Sequence, residues 1–232
     1  MKVGIIGAMQ EEVALLRSRM DNVSVEKRAR TEFCMGTLCG LDVVLVAAGV
    51  GKVNAASCTQ QLIDLFGVTH IIFTGVAGAL DRSLELGDIV VSTDCVQHDM
   101  DCTALGYPLG MVLDLQVMSF ESDKALREIA VRAVAEAAPE VGVIEGRVAS
   151  GDQFVGDAAT KEKIVSVFDA ACCEMEGAAV AQVAWLNEIP FVVLRAISDK
   201  ADGSADADYN NTMEHAANRS AAIVERMLAL LA

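Results

Sequence analysis

Lys2-Val3-Gly4-Ile5-Ile6-Gly7-Ala8-Met9-Gln10-Glu11-Glu12 opens the chain with a β-branched apolar run, a glycine, and then a polar stretch that carries two adjacent acids. Apolar side chains on both faces of a short run, ended by glycine, predict a buried strand over Lys2 to Ile6. The same pattern returns at Asp42 to Ala47, His70 to Phe73, Asp88 to Ser92, Val141 to Ala149 and Phe191 to Ile197. Between and after these runs, helical periodicity covers Val53 to Phe66, Asp123 to Ala138, Gly177 to Asn187 and Asp208 to Leu231. Strands alternating with helices predict an α/β sheet sandwiched by helices. With three prolines and no Ser/Gly-rich or like-charge tract, the expectation is one domain over residues 1–232. Cys95 to Glu121 is the longest stretch without a clear period, and is expected to form a lid or a subunit contact.

Composition narrows the partners. The 33 acidic against 18 basic residues give a formal charge of −15, which opposes binding to nucleic acid or to anionic lipid. No apolar run reaches the about 18 residues of a membrane span. Met1-Lys2 leads straight into the first strand without an export signal, so a cytoplasmic protein is expected. The seven cysteines form an odd set with no CxxC pair and read as free, mostly buried thiols.

Ligands of open α/β sheets bind beyond the carboxyl ends of the strands, so residues there carry most weight. Four places stand out: Gly7 to Glu12, Thr74-Gly75-Val76-Ala77-Gly78, Glu174-Met175-Glu176, and Ser198-Asp199. Paired carboxylates suit glycosidic hydrolysis, one protonating the leaving group while the other activates water. Each also has an ordinary explanation. Glu11 and Glu12, or Glu174 and Glu176, can complement a helix dipole, and Asp199 can cap a turn. Gly49-Val50-Gly51 lacks the third glycine of a dinucleotide fingerprint and Lys52 lies outside a Walker sequence, so neither NAD nor ATP is indicated. His98-Asp99-Met100-Asp101 offers metal-type ligands, although such residues in an acidic loop are usually solvated or hydrogen-bonded.

Eight stretches in order resemble the methylthioadenosine/S-adenosylhomocysteine nucleosidases of the nucleoside phosphorylase superfamily. They are GIIGAMQEEV (Gly4 to Val13), AGVGKVNAA (Ala48 to Ala56), TGVAGAL (Thr74 to Leu80), LGDIVVS (Leu86 to Ser92), HDMDCTALGY (His98 to Tyr107), SGDQFV (Ser150 to Val155), EMEGAAVAQVA (Glu174 to Ala184) and PFVVLRAISDKAD (Pro190 to Asp202). The resemblance spans nearly the whole chain. It implies a three-layer sandwich, with a mixed, twisted central sheet flanked by helices. It also implies a homodimer whose partner reaches the 5′ pocket through residues near Cys102 to Leu113, and hydrolysis without cofactor or metal.

By the same resemblance, Glu12 is the base that activates water and Asp199 the acid that protonates adenine at N7. Glu176 holds the ribose hydroxyls, Met175 packs on the ribose, Phe154 stacks on the base, and the backbone of Val155 reads its edge. Gly78 allows close approach to the ligand, Arg195 lies near water and base, and Ser198 orients Asp199. The chain departs from the family pattern at five places, one of them the loop after Gly110, which lacks the usual proline. Val76 stands where a serine is frequent, Leu105 replaces an aromatic, Cys102 an aliphatic, and Tyr209 a phenylalanine. These leave the 5′ group open, with 5′-deoxyadenosine and aminofutalosine as alternatives. A phosphorylase and a non-catalytic nucleoside-binding protein are the competing readings.

Overall fold

A computed structural model describes residues 1–202 and 205–232, and only the backbone of 205–214. In chain order the elements are β1 (Lys2–Gly7), α1 (Gln10–Arg19), β2 (Asp21–Arg28), β3 (Thr31–Leu38), β4 (Leu41–Ala47), α2 (Lys52–Phe66), β5 (His70–Ala79) and β6 (Ile89–Gln97). There follow β7 (Ser119–Glu121), α3 (Lys124–Ala137), β8 (Val143–Ser150), α4 (Ala158–Phe168), β9 (Cys172–Glu174), α5 (Gly177–Leu186), β10 (Phe191–Asp199) and α6 (Ala205–Leu231).

The strands form one mixed sheet in the order β10-β6-β8-β9-β5-β1-β4-β3-β2, with β7 added on β6. Because β10 also pairs with β5, the strands β5, β10, β6, β8 and β9 close into a ring, and β1, β4, β3 and β2 extend from it. The buried apolar runs feed two cores. Ile6, Phe73 and Val193 face α2 and α5, whereas Val3, Ile5, Ile72 and Leu194 face α1, α3 and α6. A strand buried on both faces has no reason to alternate polar with apolar, which is why these runs are continuous. Helix ends follow their local signals. Asp123 accepts the N–H of Leu126 at the start of α3, and α2 stops at Gly67 in the left-handed region, φ 63°.

Several elements depart from the expectation. The β2–β3 hairpin, β7, β9 and α4 lie outside the anticipated strands and helices. The third strand does not end at Phe73: Thr74 to Gly78 lie inside β5, and Cys95 to Gln97 complete β6 rather than starting a loop. The remainder of the Cys95–Glu121 stretch holds a 3₁₀ turn at Thr103–Leu105 and exposes Leu105 and Tyr107.

One detail of the sheet makes room for the site. One edge of β5 is paired by β1 only as far as Phe73, and β9 takes over that side only at Gly78. Residues 74–77 between them have no strand partner on that edge among the described residues, although β10 follows the other edge throughout. The gap opens at the carboxyl end of β1, where the chain turns into α1.

Candidate active site

Glu12 closes that gap from the first turn of α1. Its Oε2 accepts the backbone N–H groups of Ala8 (2.6 Å) and Met9 (2.9 Å), two donors that the helix start leaves without partners. Its Oε1 accepts the N–H of Val76 at 3.2 Å, on the unpaired edge of β5. Gly75 makes the approach possible, since a Cβ there would lie 2.6 Å from Glu12 Oε1 and 3.2 Å from Arg195 Nη1. The side chain is 3% exposed. Burial raises its pKa, opposed by the Met9 N–H, the Arg195 charge and the other two amides. A carboxylate held this way keeps its charge form available while gaining proton affinity, which is what a base at neutral pH needs.

The second acid lies across the gap, at the start of α5. Glu174 ends β9 and folds its carboxylate onto the helix that follows, accepting the N–H groups of Glu176 (3.0 Å) and Gly177 (2.8 and 2.9 Å). The Ser150 hydroxyl donates to Glu174 and accepts the Ala178 N–H, so the helix start is fully capped. Arg195 Nη2 completes the set at 2.7 Å, in an ion pair whose partners are 1% and 3% exposed at the side chain. The guanidinium also lies 3.9 Å from the centroid of Phe73 and donates to the Leu194 carbonyl. Burial would depress the Arg195 pKa, but Glu174, then Glu12 and Glu176, more than offset this and raise it. A buried cation is thus shared by three carboxylates.

Glu176, two residues on from Glu174, points back to the N-terminus of α2 and accepts the Gly51 N–H at 2.7 Å. It is 5% exposed, and burial first, then the Glu174 charge, push its pKa up to about 7. Asp199 arrives from the third direction. The register of β10 on β5 slips between Ile197 and Asp199, so Ser198 and Asp199 together oppose Gly78. Such a bulge re-aims the side chain that follows it. Oδ1 of Asp199 accepts the Ala201 N–H at 2.8 Å, and Oδ2 accepts the Ser198 hydroxyl at 2.9 Å. The missing side chain of Gly78 gives Asp199 its room, as a Cβ there would lie 2.8 Å from Oδ1.

Glu12, Glu176 and Asp199 line one cavity of about 370 Å³, the size of a small-molecule site, and Glu174 borders it beside Glu176. Ala8, Met9 and Val76 form its wall at α1 and β5, Cys173, Met175 and Ser198 its wall at the ring, and Val50 and the Gln153-Phe154-Val155 segment its far side. Phe154 is 50% exposed, while Val155 is buried against α4 and Cys173 in a small third core. The Cys173 thiol is pushed up to about 12 by burial, leaving no thiolate at neutral pH.

Of the residues expected at the site, Glu12, Val76, Gly78, Phe154, Val155, Met175, Glu176, Ser198 and Asp199 converge on this cavity. Arg195 does not line it. The resemblance implied a place near water and base; the guanidinium lies behind the wall, paired with Glu174, and its Nη1 shares the space over Gly75 with Glu12. Gly78 makes way for Asp199 and Ala201. No residue of Cys102 to Leu113 reaches the cavity within this chain, and Tyr209 lies outside the described residues. Asp99, considered as a metal ligand, gives its oxygens to Lys52 Nζ and the Asp152 N–H. Sequence reasoning placed Glu174 and Gly75 in strand-end stretches and Ser150 in a family motif, but gave none of them a role in the site.

The phosphorylase superfamily model matches residues 2–229. A 5′-methylthioadenosine/S-adenosylhomocysteine nucleosidase of Halalkalibacterium halodurans is 43% identical over 96% of both chains. The crystal structure of the nucleosidase of that name from Neisseria meningitidis, in complex with methylthio-immucillin-A, superposes with a TM-score of 0.95 at 39% identity, covering 99% of each chain. A futalosine hydrolase mutant of Helicobacter pylori superposes with a TM-score of 0.92 at 34% identity, over 98% of each chain.

Proposed function

This chain belongs to the phosphorylase superfamily, and from that premise we propose that it hydrolyses the N-glycosidic bond of 5′-methylthioadenosine and S-adenosylhomocysteine. Adenine and the 5′-substituted ribose are the products. The observation that carries this reading is the convergence of three buried carboxylates, Glu12, Glu176 and Asp199, from three separate elements onto one cavity. Relatives and solved structures bearing the nucleosidase name support it over the full length of the chain.

In the proposed mechanism Asp199 donates a proton to N7 of adenine, which makes the purine a better leaving group as the bond to C1′ breaks. The electron pair of that bond stays with the base. Water attacks C1′ and passes a proton to Glu12, whose raised pKa suits it to receive one. Ionised Glu176 accepts the ribose hydroxyls and favours the positive charge that grows on the sugar. Ser198 positions Asp199, Met175 packs on the ribose, Phe154 stacks on the base, and the Val155 backbone meets its polar edge. Glu174, at the edge of the cavity, and Arg195 behind it fix the start of α5 and the charge balance.

Hydrolysis rather than phosphorolysis is favoured by what occupies the start of α2. Helix N-termini attract phosphate, but here the Gly51 N–H is taken by Glu176 and the Lys52 N–H by Asp152, so an anion would meet two carboxylates. The proposal extends to a single domain acting in the cytoplasm, in methionine salvage, as a homodimer. Exposed Val50, Val53, Leu105 and Tyr107 supply apolar surface for that dimer, which would bring the partner's loop to the 5′ end of the cavity. Aminofutalosine hydrolysis is the second reading, favoured by the likeness to the futalosine hydrolase. The test is adenine release from methylthioadenosine with and without phosphate. Phosphate-independent release of free methylthioribose is expected. A sugar 1-phosphate product would overturn the hydrolytic reading, and turnover of aminofutalosine alone would replace the substrate.

A further inference from the structure

Behind the cavity wall formed by Val50 and Gln153 to Val155, three segments distant in sequence meet: the Gly51-Lys52 start of α2, the end of β6, and the loop that begins at Gly151 after β8. The Asp99 side chain, just past the end of β6, joins all three. Lys52 Nζ donates to Asp99 Oδ1 at 2.6 Å and to Gln97 Oε1 at 3.0 Å, both at the end of β6. Asp99 Oδ2 accepts the Asp152 N–H at 2.9 Å, and Asp152 Oδ1 accepts the Lys52 N–H at 2.8 Å, closing a loop of bonds. Gln97 Nε2 donates to Gln182 Oε1 of α5 at 2.6 Å, which ties the same group to the helix that carries Glu176.

The ring has two outlets into the site. Gly51, adjacent to Lys52, donates its N–H to Glu176. Asp152 leads directly into Gln153, Phe154 and Val155, the cavity's far wall. The Lys52 and Asp99 side chains are only 19% and 29% exposed, so their pairing is less screened than a surface ion pair. Burial opposes the charge of Asp99, but the bonds from Lys52 and the Asp152 N–H prevail and hold its pKa low.

We propose that Lys52 and Asp99 are positioning residues for the substrate pocket: their ion pair fixes the distance between the amide that orients Glu176 and the segment that receives the base. Neither residue lines the cavity, and neither takes part in proton transfer. Glu176 and the Phe154 segment hold sugar and base in ground state and transition state alike, so loosening them weakens binding more than chemistry. Glu12 and Asp199 are held by other partners, on α1, β5 and β10, and keep their geometry. The kinetic part of this inference rests on the proposed nucleosidase activity; the clamp itself does not.

The experiment uses the full chain with Lys52→Met, Asp99→Asn and the conservative Lys52→Arg, and reads steady-state kinetics beside amide hydrogen exchange. For Lys52→Met and Asp99→Asn, KM for methylthioadenosine and Kd for adenine are expected to rise about tenfold, with kcat within about threefold. The pH profile of kcat should not move, and Lys52→Arg should recover much of the binding. Exchange should quicken both in residues 50–53 and in 152–156. Unchanged exchange in either segment of a folded variant overturns the clamp whatever the substrate is. A fall in kcat at constant KM overturns the assignment to binding. A wild-type chain that releases no adenine sinks the proposed function, while the exchange measurement still decides the clamp.

Discussion

Burial and the neighbouring Glu174 place the pKa of Glu176 at about 7, so its charge changes within the neutral range. Only the ionised form can accept from both ribose hydroxyls, so kcat/KM should rise with pH through about 7. Glu176→Gln should lower kcat/KM and remove that limb of the profile, measured between pH 5 and 8.5. A limb that persists in Glu176→Gln would assign it to another group. Stability should move the opposite way. Above its ordinary value of 4.5 the folded state still binds the proton that the unfolded chain has released. This group's contribution therefore falls as pH rises from about 4.5 to 7. Glu176→Gln should then raise Tm by roughly 3 °C or more at pH 8 and much less at pH 5. A more stable but less active variant would mark the charge as retained for function.

Among the elements, β5 carries the most demanding geometry. Gly75→Ala would drive a methyl group into the Glu12 carboxylate. We expect a loss of about 100-fold or more in kcat, with a destabilisation of about 1–3 kcal/mol. Gly40→Ala is the contrast. It lies in the β3–β4 turn at φ 84°, with nothing within 4 Å of its Cβ position, so it should cost about 1 kcal/mol through backbone strain alone and leave kcat intact. Equal activity losses in the two variants would contradict this view of β5. The β2–β3 turn gives the converse case. Ala29 and Arg30 both adopt positive φ, 44° and 68°, as a two-residue hairpin loop requires, yet neither is Gly, Asn or Asp. Arg30→Gly should relieve the strain and raise stability by about 0.5 kcal/mol, seen as a higher urea midpoint at unchanged slope.

For the molecule as a whole, two exposed apolar residues, Val50 and Phe154, lie at the cavity itself. Val50 lines the cavity and is 48% exposed, and Val53 on the next turn of chain is 78% exposed. Leu105 is 71% exposed in the segment for which a subunit contact was expected. If these surfaces meet in a homodimer, Val53→Lys should sediment as a monomer and lose turnover of methylthioadenosine. The unaltered chain should sediment as a dimer. Dimeric behaviour of Val53→Lys would move the interface elsewhere. Among the described residues no helix is long and apolar enough to cross a membrane.

Much was legible without coordinates, because the information is local. A strand buried on both faces must be continuously apolar and a helix on a sheet must repeat every three to four residues, so the α/β layering follows from β1, β5, β10, α2 and α3 alone. The acids were legible because each directly ends or follows such an element. The β2–β3 hairpin was not: β2 is mostly exposed and polar, and its turn lacks glycine. Neither was the role of Arg195 and Glu174, since an ion pair spanning 21 residues has no periodic signature. The decisive feature, an edge of β5 shared between β1 and β9 with Glu12 in the gap, depends on which strands pair over 60 to 100 residues of separation. Local propensity cannot encode such pairings. They are chosen by the packing of the whole sheet, and tertiary structure alone decides where the three carboxylates meet.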